Sequence, residues 1–153
     1  MSEVSLQPIV AWRLWHVRRH DEAHRLESFT WHHVSWPARR RFEARCPTHG
    51  GTAPVPGHEC GIYAFANREL AEDLLRRYTG VRQRYGRHYQ ELPPLRQGCP
   101  LALGRVSLWG RVLMRENGFR AQFAYPYELF LIGGDEDLAR ELRSLYAVDV
   151  WPS

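Results

Sequence analysis

The sequence contains no lysine, and all 21 of its basic residues are arginine. Arginine alone therefore produces the formal net charge of +4 and the isoelectric point near 9.2. A guanidinium group is planar, stacks on aromatic rings and binds phosphate or carboxylate through two parallel hydrogen bonds. The composition therefore favours an anionic partner. It does not establish one, because a GC-rich genome also enriches arginine.

The chain also lacks an apolar run approaching the roughly 20 residues that cross a bilayer. Its N-terminal sequence MSEVSLQPIV has no basic segment followed by an apolar one. Three cysteines are too few for a disulfide-stapled scaffold. Its 153 residues are a common size for one domain, and no internal repeat, linker or low-complexity tract divides them. We therefore expect one soluble, cytoplasmic domain over residues 1–153, without a membrane segment.

Familiar catalytic motifs are absent as well. The sequence has no G-x-S-x-G elbow, glycine-rich phosphate loop, dinucleotide fingerprint or H-E-x-x-H helix. Cys99 would act as a nucleophile only if the fold brought a histidine near it. The early histidines fall at mixed spacings without an obvious carboxylate scheme: His16, His20, His24, His32 and His33. No catalytic residue is predicted, and enzyme activity is kept as an alternative to binding.

The stretch CPTHGGTAPVPGHEC places two cysteines and two histidines around a loop rich in glycine and proline. Structural zinc sites close four tetrahedral positions with Cys and His. The intervening GGTAPVPG forms turns and cannot bury a face, so its order must come from elsewhere. We therefore predict a structural zinc ion in this loop. Its four predicted ligands are Cys46, His49, His58 and Cys60.

Other interpretations of these residues stay open. The thiols could be unrelated to exposed histidines nearby, or Cys46 and Cys60 could form a disulfide, although a reducing compartment disfavours it. The Cys-Pro pairs at Cys46 and Cys99 allow a haem thiolate, and a mixed-ligand iron–sulfur cluster is a further alternative. A catalytic zinc would keep one position open and could take Glu59 as its general base. Four candidate ligands favour the closed structural site, with Glu59 exposed.

Residue patterns predict a chain of mostly strands. Asn67 is expected to cap a helix over Arg68–Tyr78 that Gly80 ends, and Asp135 to cap a helix reaching Tyr146. These elements predict an α+β fold, a bent and mainly antiparallel sheet or partial barrel with two helices and a metal-binding loop. The predicted strands outside the hairpin described next are Ile9–Val17, Leu26–Trp31, Val34–Trp36, Arg41–Cys46, Gly61–Ala66, Glu128–Ile132 and Val148–Trp151.

A β-hairpin is predicted over Leu103–Glu116, Asn117-Gly118 and Phe119–Ala124, because Asn-Gly between apolar strands is the strongest short-range hairpin signal. With Asn117 and Gly118 as the turn, the core face is expected to carry Leu108, Val112 and Met114, with Met114 opposite Ala121 and Val112 opposite Phe123. The other face would carry Arg111, Arg115 and Arg120. Arg115 would lie directly across from Arg120, and like charges so placed cost up to about 1 kcal/mol unless an anion lies nearby.

An arginine- and tyrosine-rich segment follows the first helix. From Val81 to Pro100 the chain loses periodicity, and this length marks the segment as functional or mobile. Interleaved cations and rings suit a phosphate backbone with stacked bases. We predict that the protein is a binding or adaptor module for a nucleic acid or an acidic protein surface. The residues predicted to contact this partner are Arg82, Arg84, Tyr85, Arg87, Tyr89, Arg111, Arg115 and Arg120, and His88 lies among them.

A small-molecule ligand in an aromatic pocket is a further alternative. The sequence has six tryptophans, enough to line a cleft, although large aromatic residues ordinarily fill a core. They are Trp12, Trp15, Trp31, Trp36, Trp109 and Trp151.

Four segments resemble a group of small, largely uncharacterised proteins from GC-rich bacteria of actinobacterial type. The segments are EARC (Glu43–Cys46), HECGIYA (His58–Ala64), GRVSLWGRV (Gly104–Val112) and GFRAQFAYP (Gly118–Pro126). In that group the loop looks like C…H…C-x-C-G-I-Y-A, so His58 stands where a cysteine would be. Histidine for cysteine keeps a zinc ligand and would be hard to explain for a disulfide, so the resemblance favours a metal over a cross-link. It implies no activity, and the segment Val81–Pro100 looks like an elaboration of this chain.

Overall fold

A computed structural model describes residues 2–29, 34–48, 50–85 and 100–152. Within these ranges seven strands form one sheet, accompanied by two helices, which confirms the predicted α+β fold. The strands are β1 (Ser2–His20), β2 (Ala23–Ser28), β3 (Phe42–Glu43), β4 (Ile62–Phe65), β5 (Leu101–Arg115), β6 (Gly118–Ile132) and β7 (Asp149–Trp151). The helices are α1 (Arg68–Tyr85) and α2 (Glu136–Tyr146).

Strand pairing is antiparallel throughout the described sheet except between β6 and β7, which are parallel. Strands β1, β5, β6 and β4 pair in a closed cycle, because β4 pairs with both β6 and β1. The β1–β4 side of this cycle is short, since Trp12 and Phe65 form its one register pair. The sheet is therefore bent, as predicted, and narrowly connected at one side.

Two apolar clusters cover the two faces of the sheet. The larger cluster contains the buried Trp15 and Trp36, whose ring centroids lie 5.4 Å apart in an edge-to-face arrangement. Helix α2 adds Leu138, Leu142 and Tyr146 to this cluster, because its apolar positions recur on one helical face. The smaller cluster contains Leu14, Phe29, Ala71, Leu101 and Leu103, and Ala71 brings α1 onto the sheet.

Both predicted helix caps are present. The Asn67 side-chain oxygen accepts a 3.0 Å hydrogen bond from the Leu70 N–H, and the Asp135 carboxylate accepts a 2.9 Å bond from the Leu138 N–H. The predicted stop at Gly80 is wrong, because α1 continues to Tyr85. A glycine inside a helix costs only about 1 kcal/mol relative to alanine, and the arginines and glutamine that follow favour helix.

The β5–β6 hairpin is present, but its predicted register is wrong. Its turn residues are Glu116 and Asn117, and Gly118 is already in β6, paired with Arg115. Met114 pairs with Phe119 and is 63% exposed, so it does not lie on the core face. A Cβ atom at Gly118 would lie 2.0 Å from the Ala64 carbonyl oxygen. Close approach of β4, more than turn geometry, therefore explains this glycine.

The register also removes the expected like-charge pair. Arg120 pairs with Leu113, and Val112 pairs with Ala121. A bulge shifts the register of β5 between Trp109 and Val112. Arg115 and Arg120 are therefore diagonal rather than directly opposite, so the like-charge cost expected for an opposed pair does not apply.

Several strand boundaries differ from the prediction. Strand β1 is longer because it pairs with β5 from Ser2 onward and with β2 as far as His20. The strand expected to end near Pro126 runs on to Ile132, since a bulge next to Pro126 accommodates the missing N–H. The predicted strand Val34–Trp36 contains only an isolated bridge at Ser35. The predicted strand Arg41–Cys46 contains only the two residues of β3 and an isolated bridge at Arg45. Strand β2 ends at Ser28, and Trp31 lies outside the described residues.

Replacing Tyr146 by phenylalanine should destabilise the larger cluster. The buried Tyr146 hydroxyl donates to the Trp36 carbonyl at 2.8 Å and accepts from the Leu26 N–H at 2.9 Å. Burial raises the pKa of Tyr146 to about 12, so the hydroxyl stays protonated at neutral pH. Tyr146→Phe leaves the Leu26 N–H unpaired, which should cost about 1–3 kcal/mol in urea unfolding. Tyr127→Phe, at a residue 49% exposed, is the control and should change little; equal effects would contradict this role.

Candidate metal centre

The two ends of the cysteine loop are attached to one strand. Strand β3 pairs with β6 at Phe123 and Ala124, and β4 pairs with β6 from Ala121 to Gly118. The loop between β3 and β4 thus begins and ends at neighbouring points along the same strand. Backbone pairing therefore brings its first and last residues close together.

Strand alternation turns Cys46 inward. Ala44 and Cys46 are buried, while Glu43 and Arg45 are exposed, as the sequence predicts. After Cys46 the chain reverses, with the Gly50 N–H donating to the Cys46 carbonyl and the Cys46 N–H donating to the Gly51 carbonyl. Gly50 has a φ of +69°, which glycine adopts without steric cost.

Three of the predicted ligands come together. The Cys46 sulfur lies 3.2 Å from Nδ1 of His58, and the two cysteine sulfurs and one ring nitrogen of His58 all lie within 4.8 Å of one another. Ligand atoms around a tetrahedral zinc, at about 2.3 Å for sulfur and 2.0–2.1 Å for nitrogen, lie roughly 3.3–3.8 Å apart. Cys46 and Cys60 are buried and His58 is half-buried. This Cys-His-Cys cluster could therefore hold a metal ion.

The fourth predicted ligand, His49, lies outside the described residues. It stays a prediction. Neither Cys46 nor Cys60 is in a disulfide, so the cross-link alternative finds no support in the described part of the chain. Glu59 between the ligands is exposed, as expected.

The environment of Cys60 suits a thiolate bound to a cation. Burial raises the pKa of this thiol, and the Val55 N–H, which donates to the Cys60 sulfur at 3.2 Å, acts in the opposite direction. A buried thiolate needs a compensating positive charge, and metal binding displaces the thiol proton. Backbone N–H donors to a ligand atom are the kind of outer partner that orients metal ligands.

Two hairpin arginines hold the loop from the sheet side. The Arg120 guanidinium donates to the carbonyl oxygens of His58 and Cys60, the latter at 2.9 Å. The Arg111 guanidinium donates to the Pro54 carbonyl at 3.4 Å. Sequence reasoning assigned both residues only to partner binding, because an arginine in an alternating strand looks like a solvent-facing residue. Its contact with a loop some 60 positions away leaves no local signal.

The remaining partner-binding residues are not all described. Arg115 is exposed, and its guanidinium carbon lies 4.3 Å from the Tyr63 ring centroid. Arg82, Arg84 and Tyr85 belong to α1, in a segment expected to be irregular. Arg87, His88 and Tyr89 lie outside the described residues, as does Cys99. That the residues after α1 form one partner-binding surface with Arg111, Arg115 and Arg120 therefore stays a prediction.

The described tryptophans differ in their burial. Trp15 and Trp36 are core residues, Trp12 and Trp109 are half-buried, and Trp151 is exposed. A cleft of about 530 Å³ lies at the start of α2, and none of the described residues that line it is tryptophan, tyrosine or phenylalanine. It is lined by His24, Pro100, Gly133, Gly134, Asp135, Asp137, Leu138 and Glu141.

Comparisons of the chain with protein-family models, with curated proteins and with solved structures found no match. The resemblance to the bacterial group therefore stays a prediction. Among the described residues, no helix has both the length and the apolar character needed to cross a membrane.

Replacing the candidate ligand His58 should strongly weaken metal binding, whereas replacing its neighbour Glu59 should not. His58→Gln removes the candidate nitrogen ligand, so the affinity for added zinc should fall by more than the roughly 10–100-fold typical of outer partners. Glu59→Gln is the matched control, because Glu59 is adjacent and exposed. Zinc content by elemental analysis and competition with a chromophoric chelator are the measurements. Equal affinities of the two variants would exclude His58 as a ligand.

Loss of Arg120 should weaken the site without removing a ligand. Arg120→Met deletes the hydrogen bonds to the His58 and Cys60 carbonyls, so the zinc affinity should fall about 10–100-fold. Arg140→Met, at a side chain 67% exposed on α2, controls for the lost charge. If chelator competition gave both variants the wild-type affinity, Arg120 would have no part in holding the loop.

Proposed function

We propose that this protein is a zinc-stabilised binding module for a polyanionic partner, with nucleic acid as the favoured class. Zinc at Cys46, His58 and Cys60, with His49 as the predicted fourth ligand, would be structural. Support comes from the buried sulfurs, the N–H donor to Cys60 and the arginine contacts to the loop carbonyls. A closed set of four ligands leaves no position for substrate or water.

The observation that carries the binding proposal is a set of arginines without acidic partners. Within the described residues, no carboxylate lies within ion-pair distance of Arg41, Arg111 or Arg115, and all three are exposed. Other arginines are compensated, such as Arg105, which lies 2.8 Å from Glu128. None of the three guanidinium groups is neutralised by a described carboxylate, so each can bind an external anion, and Arg111 also donates to the Pro54 carbonyl.

Two of these guanidinium groups are also held in place by aromatic rings. The Arg41 guanidinium carbon lies 4.0 Å from the Phe123 ring centroid, and that of Arg115 lies 4.3 Å from the Tyr63 centroid. Stacking on a ring face restricts the side chain and leaves its N–H edge available for bidentate contact with phosphate. Tyr63 also donates to the Glu59 carbonyl at 2.7 Å, so this arginine is linked to the metal loop. Zinc would thus support the position of the binding residues.

Neutralising the three unpaired arginines should weaken binding and its salt dependence. Replacing Arg41, Arg111 and Arg115 together by glutamine should reduce affinity for a fluorescent single-stranded oligonucleotide. The slope of log affinity against log salt should fall by roughly 0.7 for each lost phosphate contact. Fluorescence anisotropy at several salt concentrations measures both quantities.

The charge-matched control replaces three exposed arginines elsewhere, Arg19, Arg77 and Arg140, by glutamine. This control variant should retain the wild-type affinity and salt-dependence slope, because the proposal assigns binding to three particular arginines and not to net charge. Duplex DNA and polyglutamate are tested in parallel. Binding of polyglutamate without oligonucleotide would favour an acidic protein partner, and no binding of any of these probes at low salt would refute the module.

A further inference from the structure

A second arginine environment lies inside the sheet. Arg13 is in the middle of β1, on the strand face that also carries the fully buried Ala11 and Trp15. The residue as a whole is half-buried, while its Nε atom is buried and has no hydrogen-bond partner. A guanidinium on the core face of a strand is unusual because burying a charge is costly unless it is paired.

The contacts of Arg13 hold its side chain in place without neutralising it. One terminal nitrogen donates to the Tyr63 carbonyl, and the other lies 3.4 Å from the Ser28 hydroxyl oxygen. The guanidinium carbon lies 5.0 Å from the Trp36 ring centroid. The Tyr63 carbonyl can accept this bond because β1 and β4 share only the Trp12–Phe65 register pair, and the strands separate beyond it.

No described carboxylate compensates Arg13. The buried acid nearest along the paired strands, Glu27, lies 3.1 Å from both Arg18 and His20, and these residues project from the opposite face of β1. Burial lowers the pKa of Arg13 to about 10, so the group is still a cation at neutral pH. The Arg13 cation therefore has neutral hydrogen-bond partners but no negative partner in the described structure.

A second donor without an acceptor lies two positions away. The Trp15 indole Nε1 is buried and has no hydrogen-bond partner in the described structure, and its side chain is on the same face of β1 as Arg13. The Trp15 ring packs edge-to-face against Trp36, the ring that Arg13 also contacts. Arg13 and Trp15 thus both contact Trp36, and each carries a buried N–H donor without an acceptor in the described structure.

We propose that Arg13 and Trp15 form a binding site for a small oxyanion, whose oxygens accept hydrogen bonds from Arg13 Nε and Trp15 Nε1. A water molecule would satisfy the donors but would not neutralise the cation, whereas a carboxylate or phosphate oxygen does both. The site is separate from the exposed arginines of the proposed binding surface. It requires neither the metal nor a polyanion.

The test follows the Trp15 indole resonance in a two-dimensional ¹⁵N spectrum while inorganic phosphate or acetate is added. Ionic strength is held constant with the sodium salt of a bulky sulfonate, and Trp15→Phe identifies the resonance. In the wild-type protein we expect a saturable change in the chemical shift of the Trp15 N–H. We also expect the anion to raise the midpoint temperature of thermal unfolding. Response to phosphate alone indicates a phosphoryl ligand, and response to acetate alone indicates a carboxylate.

Two variants separate binding from a structural role. Arg13→Met should abolish the anion-dependent shift, and Arg13→Lys, which keeps the charge but lacks the Nε donor, should weaken anion affinity at least tenfold. Arg140→Met should leave the response unchanged, as should the triple replacement of Arg41, Arg111 and Arg115. If Arg13→Met does not fold, the lysine variant and the wild-type titration still decide. Absence of a saturable shift in the wild type, or a shift unchanged in Arg13→Lys, would overturn the proposal.

Discussion

The geometry of the candidate metal site depends above all on strand β6, because β3 and β4 both pair with one edge of this strand. These short strands lie one after the other along it, and the loop that connects them carries the cysteines. Loop closure is thus achieved by backbone hydrogen bonds between residues distant in sequence, with the long β5–β6 hairpin as the support. The three candidate metal ligands are brought together by the sheet, so an ion would bind to a cluster that is already assembled.

This dependence changes the interpretation of the loop itself. Its glycine- and proline-rich composition suggested that only a metal could order it, yet Ala53 and Pro54 are buried and the loop carbonyls accept bonds from Arg111 and Arg120. The remaining imbalance is electrostatic, since two sulfurs and a nitrogen converge in a largely buried place. A cation would therefore contribute mainly charge compensation and rigidity, with less effect on the path of the chain.

Some local patterns predicted local structure correctly, although the helix stop expected at Gly80 was wrong. Asn67 and Asp135 cap helices because their side chains need only residues three positions away, and inward alternation placed Cys46 in the core. Gly118 was misread because its requirement is tertiary, the approach of the Ala64 carbonyl, whereas Asn-Gly is a local turn signal. The Arg13 and Arg120 contacts span 50 residues or more, so no pattern in the neighbouring sequence could indicate them.

The absence of lysine acquires a structural meaning at these same positions. Arg120 reaches two carbonyls of the metal loop from one nitrogen, and Arg13 joins a carbonyl, a hydroxyl and a ring face at once. A guanidinium does this because it is planar, weakly hydrated and carries five donors in a fixed fork, whereas an ammonium is a compact and strongly hydrated point charge. A genome bias can explain why arginine is abundant. The bias does not mean that lysine could replace arginine at every position. At Arg13 the planar cation and its unused donor define an anion-accepting environment that lysine would not reproduce.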